Sequence, residues 1–190
     1  MANTRKVVTV ASEGIFLAFP HLFEPHAVSE DQEPKYGTMV VIPKTATKTI
    51  AKLKAAQDAA KAEQADKFGG KIPKNLRTTI HDGDNEEETD LEDKPWLAGC
   101  YYLNVTSKRR PGVVDQAVNP IMDASELYSG VIVRVSLTAY CYNVSGNKGV
   151  TFGLENVQKV RDGEAIGSGP SRAEDDFDAL EDEEDEGGLL

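Results

Sequence analysis

Cysteine is nearly missing from this chain. The two present, Cys100 and Cys141, lie 41 residues apart without a CxxC pair. That excludes a disulfide framework and a thiolate zinc site, and it predicts two reduced, half-buried thiols in a cytosolic protein. Three histidines, His21, His26 and His81, lack the cysteine or carboxylate grouping that metal ligation requires. No metal and no cofactor is expected. Long apolar runs are missing too: nothing approaches the ~18 residues of a membrane span. The run VVTVA after Arg5-Lys6 stops at Ser12-Glu13, short of the ~7–15 residues of a signal h-region. A cytoplasmic protein without a membrane partner is the expectation. The sequons at Asn104 and Asn143 are then chance matches.

Catalytic motifs are equally scarce. GxxxxGK[ST] and GxSxG do not occur, and DGDNE at 82–86 places glycine second in the run, not sixth as a calcium loop requires. Carboxylates abound, but they concentrate in two segments where nothing would tune their pKa. The expectation is a protein that is not an enzyme.

Charge is what the chain does have, unevenly distributed. The net charge is −11, of which residues 171–190 carry −9 and residues 82–93 (DGDNEEETDLED) carry −8, leaving +6 on the remainder. A mildly basic body with two acidic attachments points to a polyanion partner.

Valine-rich alternation predicts strands at 5–11, at IFLAF (15–19, closed by Pro20) and at 36–42. From Thr47 to about Lys67 the period becomes helical, with Ile50, Leu53, Ala56 and Ala60 on one face, Thr47 as N-cap and Gly69-Gly70 as stop. The 82–93 stretch has no periodicity and reads as a flexible acidic loop. Strand character resumes at 96–106, and SKRRPG (107–112) is a basic turn. After a loop or helical turn comes the longest strand, 130–142, which pairs through a turn at 146–149 with residues 149–160. Six strands joined without regular crossover helices disfavour a parallel sheet. A mainly β fold is predicted: an antiparallel barrel of the OB-fold type with one long inserted helix at about 47–67. An antiparallel sandwich is the competing architecture. Residues 1–165 form the domain, and 166–190 read as a disordered acidic tail.

Alternation along 131–142 sends Val131, Val133, Val135, Leu137, Ala139 and Cys141 to one face and Arg134, Tyr140 and Tyr142 to the other. A cation beside flat rings suits single-stranded nucleic acid, whose bases stack on aromatics while phosphates meet arginine. Tyr102 shares the parity of Cys100 and Asn104 and leads into Lys108, Arg109 and Arg110, which have no acid before Asp115. Lys148 and Lys159 extend the same chemistry. Phe16, Phe19 and Phe23 are expected to be core or wall.

The run FPHLFEP (19–25), the tripeptide YSG (128–130) and above all NKGVTFGLENVQKVRDGE (147–164) resemble a family of tailed-phage single-stranded DNA-binding proteins. The resemblance covers most of residues 10–165 and the character of the tail. It implies an OB-fold barrel in the host cytoplasm, an accessory of replication or recombination that coats single strands without sequence preference. It also implies a homodimer. The bacterial housekeeping version ends its tail in Pro-Phe, whereas this chain ends in Gly-Gly-Leu-Leu. Phe177, Leu180, Leu189 and Leu190 are the candidate contacts for replication and recombination proteins. Twenty residues reach at most about 66–72 Å, enough to fold back over a small barrel and compete with DNA. A phage structural or assembly protein, with the barrel as a protein–protein module, is the alternative. An acidic DNA mimic fits less well, because its carboxylates would have to be fixed on a rigid surface.

Overall fold

The computed structural model describes residues 3–166 and residue 177. Nine strands share one sheet around a single α-helix: β1 Lys6–Val8, β2 Phe16–His26, β3 Lys35–Pro43, α1 Thr47–Glu63, β4 Arg77–Thr78, β5 His81–Asp82, β6 Cys100–Ser107, β7 Gly112–Val114, β8 Ile132–Val144 and β9 Asn147–Arg161. The sheet closes on itself. β2 pairs antiparallel with β3, β3 with β6, and β8 with β9. A parallel contact at Thr106↔Gly153 joins β6 to β9, and Phe16↔Ile132 returns β2 to β8. Five strands in the cyclic order β2-β3-β6-β9-β8 make the OB-type barrel expected from the strand count. The far edge of β9 is covered in succession by β4, β6 and β7, so little of it remains an open edge.

The alternation expected along 131–142 is borne out: Val131, just ahead of β8, and Val133, Val135, Leu137, Ala139 and Cys141 within it are all at most 1% exposed. They meet Val40, Ile42, Leu103 and Val105 inside the barrel, and Leu53, Ala56 and Ala60 of α1 join the same core. The helix thus plugs the barrel with its one apolar stripe, and its lysines stay outside.

Four local readings differ from expectation. The helix ends at Glu63 and a 3₁₀ turn, Ala65–Phe68, completes the segment; between them the Gln64 carbonyl oxygen Oε1 accepts from the Cys141 N–H at 2.7 Å. Ala46, not Thr47, holds the N-cap position. The Glu13 carboxylate takes over that role, accepting from the Lys48 and Thr49 N–H groups at 3.1 and 2.9 Å, a cap supplied by a residue distant in sequence. β2 does not close at Pro20 but continues through it to His26, with a register shift between Ala18 and His21, because a proline with no N–H fits a bulge. The β8–β9 hairpin turns on two residues, Ser145 and Gly146, with φ of 52° and 84°, the left-handed pair of a I′ turn.

The 82–93 segment, expected to be a free solvated loop, is folded onto the barrel. Lys44 Nζ bonds Asp82 and Asp84 at 2.8 and 2.7 Å, and Asp84 also accepts from the Gly99 N–H. A side chain at Gly83 would place its Cβ 2.0 Å from the Leu97 carbonyl oxygen, so only glycine admits this approach. Leu91, Trp96 and Leu97 then join Phe16, Ala18, Met39, Val41, Cys100 and Tyr102 in a second apolar cluster on the outside of β2, β3 and β6. The tail lies outside the described residues apart from Ile166 and Phe177; with it go Leu180, Leu189 and Leu190.

Candidate nucleic-acid interface

The second cluster covers only one end of the outer face of β2-β3-β6. At the other end the face is open and concave. β6 turns Leu103 and Val105 inward and sends Asn104 and Thr106 outward, and Lys108 follows just past its end. β3 sends Met39 and Gly37 to the same side, opposite Asn104 and Thr106. A Cβ at Gly37 would meet the Val105 carbonyl oxygen at 2.7 Å, so the floor is bare backbone there. The result is a groove of about 730 Å³, walled by Phe19, His21 and His26 of β2 and closed by the 27–34 connection with Lys35 and Glu33.

Phe19 stands at the rim for a backbone reason. It occupies the bulge before Pro20 with φ of 50°, and its N–H is held by the Ser129 hydroxyl at 2.9 Å. A left-handed φ on a bulky residue costs energy and marks positions that function constrains. It leaves the ring 47% exposed. Trp96 braces it edge-on at 5.9 Å, and Phe16 braces Trp96 at 6.3 Å. Beside them His21 and His26 stack at 4.2 Å with planes 8° apart. Burial, and next the neighbouring His26, push the His21 imidazole below its usual pKa.

Cations arrive from β6. Lys108 lines the groove, and Lys108, Arg109 and Arg110 are all exposed. Among the described residues none of the three has a salt-bridge partner. Arg110 lies over the Phe23 ring at 5.2 Å, which orients its guanidinium while leaving its charge uncompensated. Flat rings at one wall, imidazoles beside them and free cations at the end form a surface able to stack bases and meet phosphates.

Of the residues singled out from sequence, Lys108 lines this groove, and Arg109 and Arg110 follow it in the exposed turn after β6. Tyr102 must be corrected. Its parity is right, but the acidic segment lies over it and leaves it 8% exposed. Its hydroxyl meets Thr89 Oγ1 at 3.1 Å and His81 stacks on its ring at 5.1 Å, so no base can reach it. The remaining candidates occupy β8, β9 and the turn between them. Arg134 donates to the Thr9 carbonyl and to Gln158. Tyr142 lies so close over Gly149 that a Cβ there would sit 2.5 Å from its hydroxyl. Tyr140 covers Gly153, with Lys67 Nζ 6.0 Å from its ring. Lys159 pairs with Asp162 at 2.9 Å and lies over Tyr128, and Lys148 sits opposite Asn143 beside the turn.

Phe19, His21, His26 and Lys35 line the groove without being singled out by the sequence as contacts; Phe19, expected to be core or wall, stands in its wall, and Trp96 meets it edge-on. A signal existed. Phe-Pro-His inside a strand pattern marks a bulge, and OB barrels bind through their second and third strands and the connection between the first two, here β3, β6 and residues 27–34.

The chain is similar to several known proteins. The sequence pattern of a family described as Enterobacter phage Enc34, ssDNA-binding protein, matches residues 5–187. Protein p50 of Acyrthosiphon pisum secondary endosymbiont phage 1 is 34% identical over 174 residues, covering 90% of this chain and 92% of its own length. Among solved structures, the single-stranded DNA-binding protein from bacteriophage Enc34 in complex with ssDNA superposes with a TM-score of 0.67 at 23% identity, over 86% of this chain and 90% of that one. The single-stranded DNA-binding protein gp2.5 of bacteriophage T7 superposes with a TM-score of 0.57 at 14% identity, over 97% of each chain. At such identities the two structures establish a shared fold.

Proposed function

The chain belongs to the Enterobacter phage Enc34 ssDNA-binding protein family, and from that premise we propose that it binds single-stranded DNA in the β2-β3-β6 groove without sequence preference. The observation that carries the site is the groove itself: a concave face with a strained, exposed Phe19 at its rim and Lys108 in its lining, followed by Arg109 and Arg110, all three without a salt-bridge partner among the described residues. Bases stack on Phe19 and Trp96, and Lys108, Arg109, Arg110 and Lys35 neutralise phosphates. The protein acts by binding alone, coating and protecting strands exposed in phage replication or recombination in the host cytoplasm. Assembly as a homodimer rests on the family resemblance.

In this reading the acidic tail competes with DNA for the groove when the protein is free. Ile166 packs against the outer cluster and donates its N–H to the Ser129 carbonyl, and the Ser129 hydroxyl accepts from the Phe19 N–H, so Ile166, ahead of the tail, lies next to the groove rim. Tethering gives a short flexible segment an effective concentration near the millimolar scale. Displaced by a strand, the tail offers Phe177, Leu180, Leu189 and Leu190 to partner proteins. Titration of the full chain with oligothymidine tests the central reading: binding is expected, weakening as salt rises with a log–log slope of about −0.7 per phosphate neutralised. No binding at low salt, with or without residues 171–190, would sink it. Removal of 171–190 is expected to tighten binding most at low salt, and equal affinity there would reduce the tail to a handle or a solubiliser.

A further inference from the structure

The His21–His26 pair lies in the groove, and stacking and fixed cations leave it without a role. The two residues are five apart on one strand, and a second register shift of β2, between His21 and His26, brings their rings face to face. Both rings are exposed on the groove wall. Two imidazoles in parallel contact do not both carry charge cheaply, because like charges at that distance disfavour the second proton. Other elements bear on the same space. Lys35 of β3 is the register partner of His26, and Lys108 follows β6; both add positive charge. Glu33 of the 27–34 connection supplies a carboxylate, and Glu24 is exposed on the same strand. Burial and the neighbouring ring hold His21 below its usual range. The empty groove therefore disfavours a charged His21 imidazole.

A phosphodiester entering between Lys35 and Lys108 changes the balance. It brings the opposite charge that favours a protonated imidazole. We propose that His21 and His26 form a phosphate-binding element that takes up a proton as the strand binds, linking DNA affinity to pH across the physiological range. The inference rests on the groove being the single-stranded DNA site. The imidazole ends as an imidazolium donating to a phosphate oxygen, and the proton comes from solvent.

The test uses the full chain and oligothymidine at fixed ionic strength. Affinity is expected to rise about tenfold between about pH 8 and about pH 6, the window in which a histidine titrates. Calorimetry in buffers of different ionisation enthalpy is expected to count uptake approaching one proton per site, and that measurement needs no variant. In H21Q/H26Q the pH dependence should flatten to within about twofold. His81, stacked on Tyr102 at the covered end of the face, is the control: H81Q should retain the full dependence. Equal affinity at both pH values, no proton uptake, or a dependence that persists in H21Q/H26Q would overturn the inference while leaving the DNA reading intact. Absence of binding at both pH values would instead sink the DNA reading.

Discussion

Two outward faces of one barrel carry the same kinds of residue and differ in what those residues are free to do. On the β8–β9 face, tyrosine, arginine and lysine are engaged within the molecule: rings lie over Gly149 and Gly153, Arg134 ties β8 to the chain after β1, and Lys159 answers Asp162. On the β2-β3-β6 face the floor is lowered by Gly37, the aromatic rim is lifted by a bulge, and the cations of the 108–110 turn have no partner among the described residues. Residue type alone does not make a binding site. Concavity and unspent hydrogen-bonding and charge capacity do.

Four changes would break or sharpen this contrast. The largest effect is expected from K108A/R109A/R110A. If all three cations neutralise phosphates, the salt dependence of oligothymidine binding becomes shallower by about 2 on the log–log scale, and an unchanged slope would move the DNA path elsewhere. Next is Phe19→Ala, expected to cost about 1–3 kcal/mol of affinity, the usual loss of one stacked base, with the melting temperature of the free protein little changed because the ring is half exposed. An affinity equal to that of the parent would remove the rim from the site.

A third change acts on the covered end of the same face. The Lys44 ammonium, hydrogen-bonded to both Asp82 and Asp84, holds their carboxyls below the usual carboxylate range. Groups whose folded pKa is lowered stabilise fully above the unfolded value, and that contribution fades as pH falls through the folded one. The 82–93 segment should thus loosen below about pH 4, seen as faster hydrogen exchange across residues 82–99, and Lys44→Ala should bring the same loosening to neutral pH. Protection unchanged by Lys44→Ala would show that the apolar contacts of Leu91 and Trp96 suffice. The smallest effects belong to the β8–β9 face: Arg134→Ala and Tyr140→Ala should each leave affinity within about twofold, as changes outside a contact surface do. A tenfold loss from either would extend the interface around the barrel.

Much of this was legible in the residues because it depends on local periodicity. The six buried positions along 131–141, the strand at 36–42 and the start of α1 follow from alternation and from a change of period. The charge partition likewise located the basic turn. What stayed hidden depends on contacts between distant segments. Glu13 caps a helix thirty-four positions later, and nothing near Thr47 reports it. Tyr102 has the parity of an exposed ring, but its burial is decided by an acidic stretch whose fate hinges on Lys44. Phe19 read as apolar wall because hydrophobicity does not disclose a left-handed φ. Strand parity tells which way a side chain points and not what lies on top of it.

The position of Trp96 has one more consequence. It is the single tryptophan of the chain, and it stands where the covered and open halves of the face meet, edge-on to Phe16 and Phe19. Indole emission from this protein therefore originates at one known point. A strand stacking at the rim quenches it from one side, while release of the acidic segment exposes it to water from the other and shifts it to the red. The molecule carries its own optical probe at the boundary between its two halves, so occupancy and uncovering can be followed separately without a label.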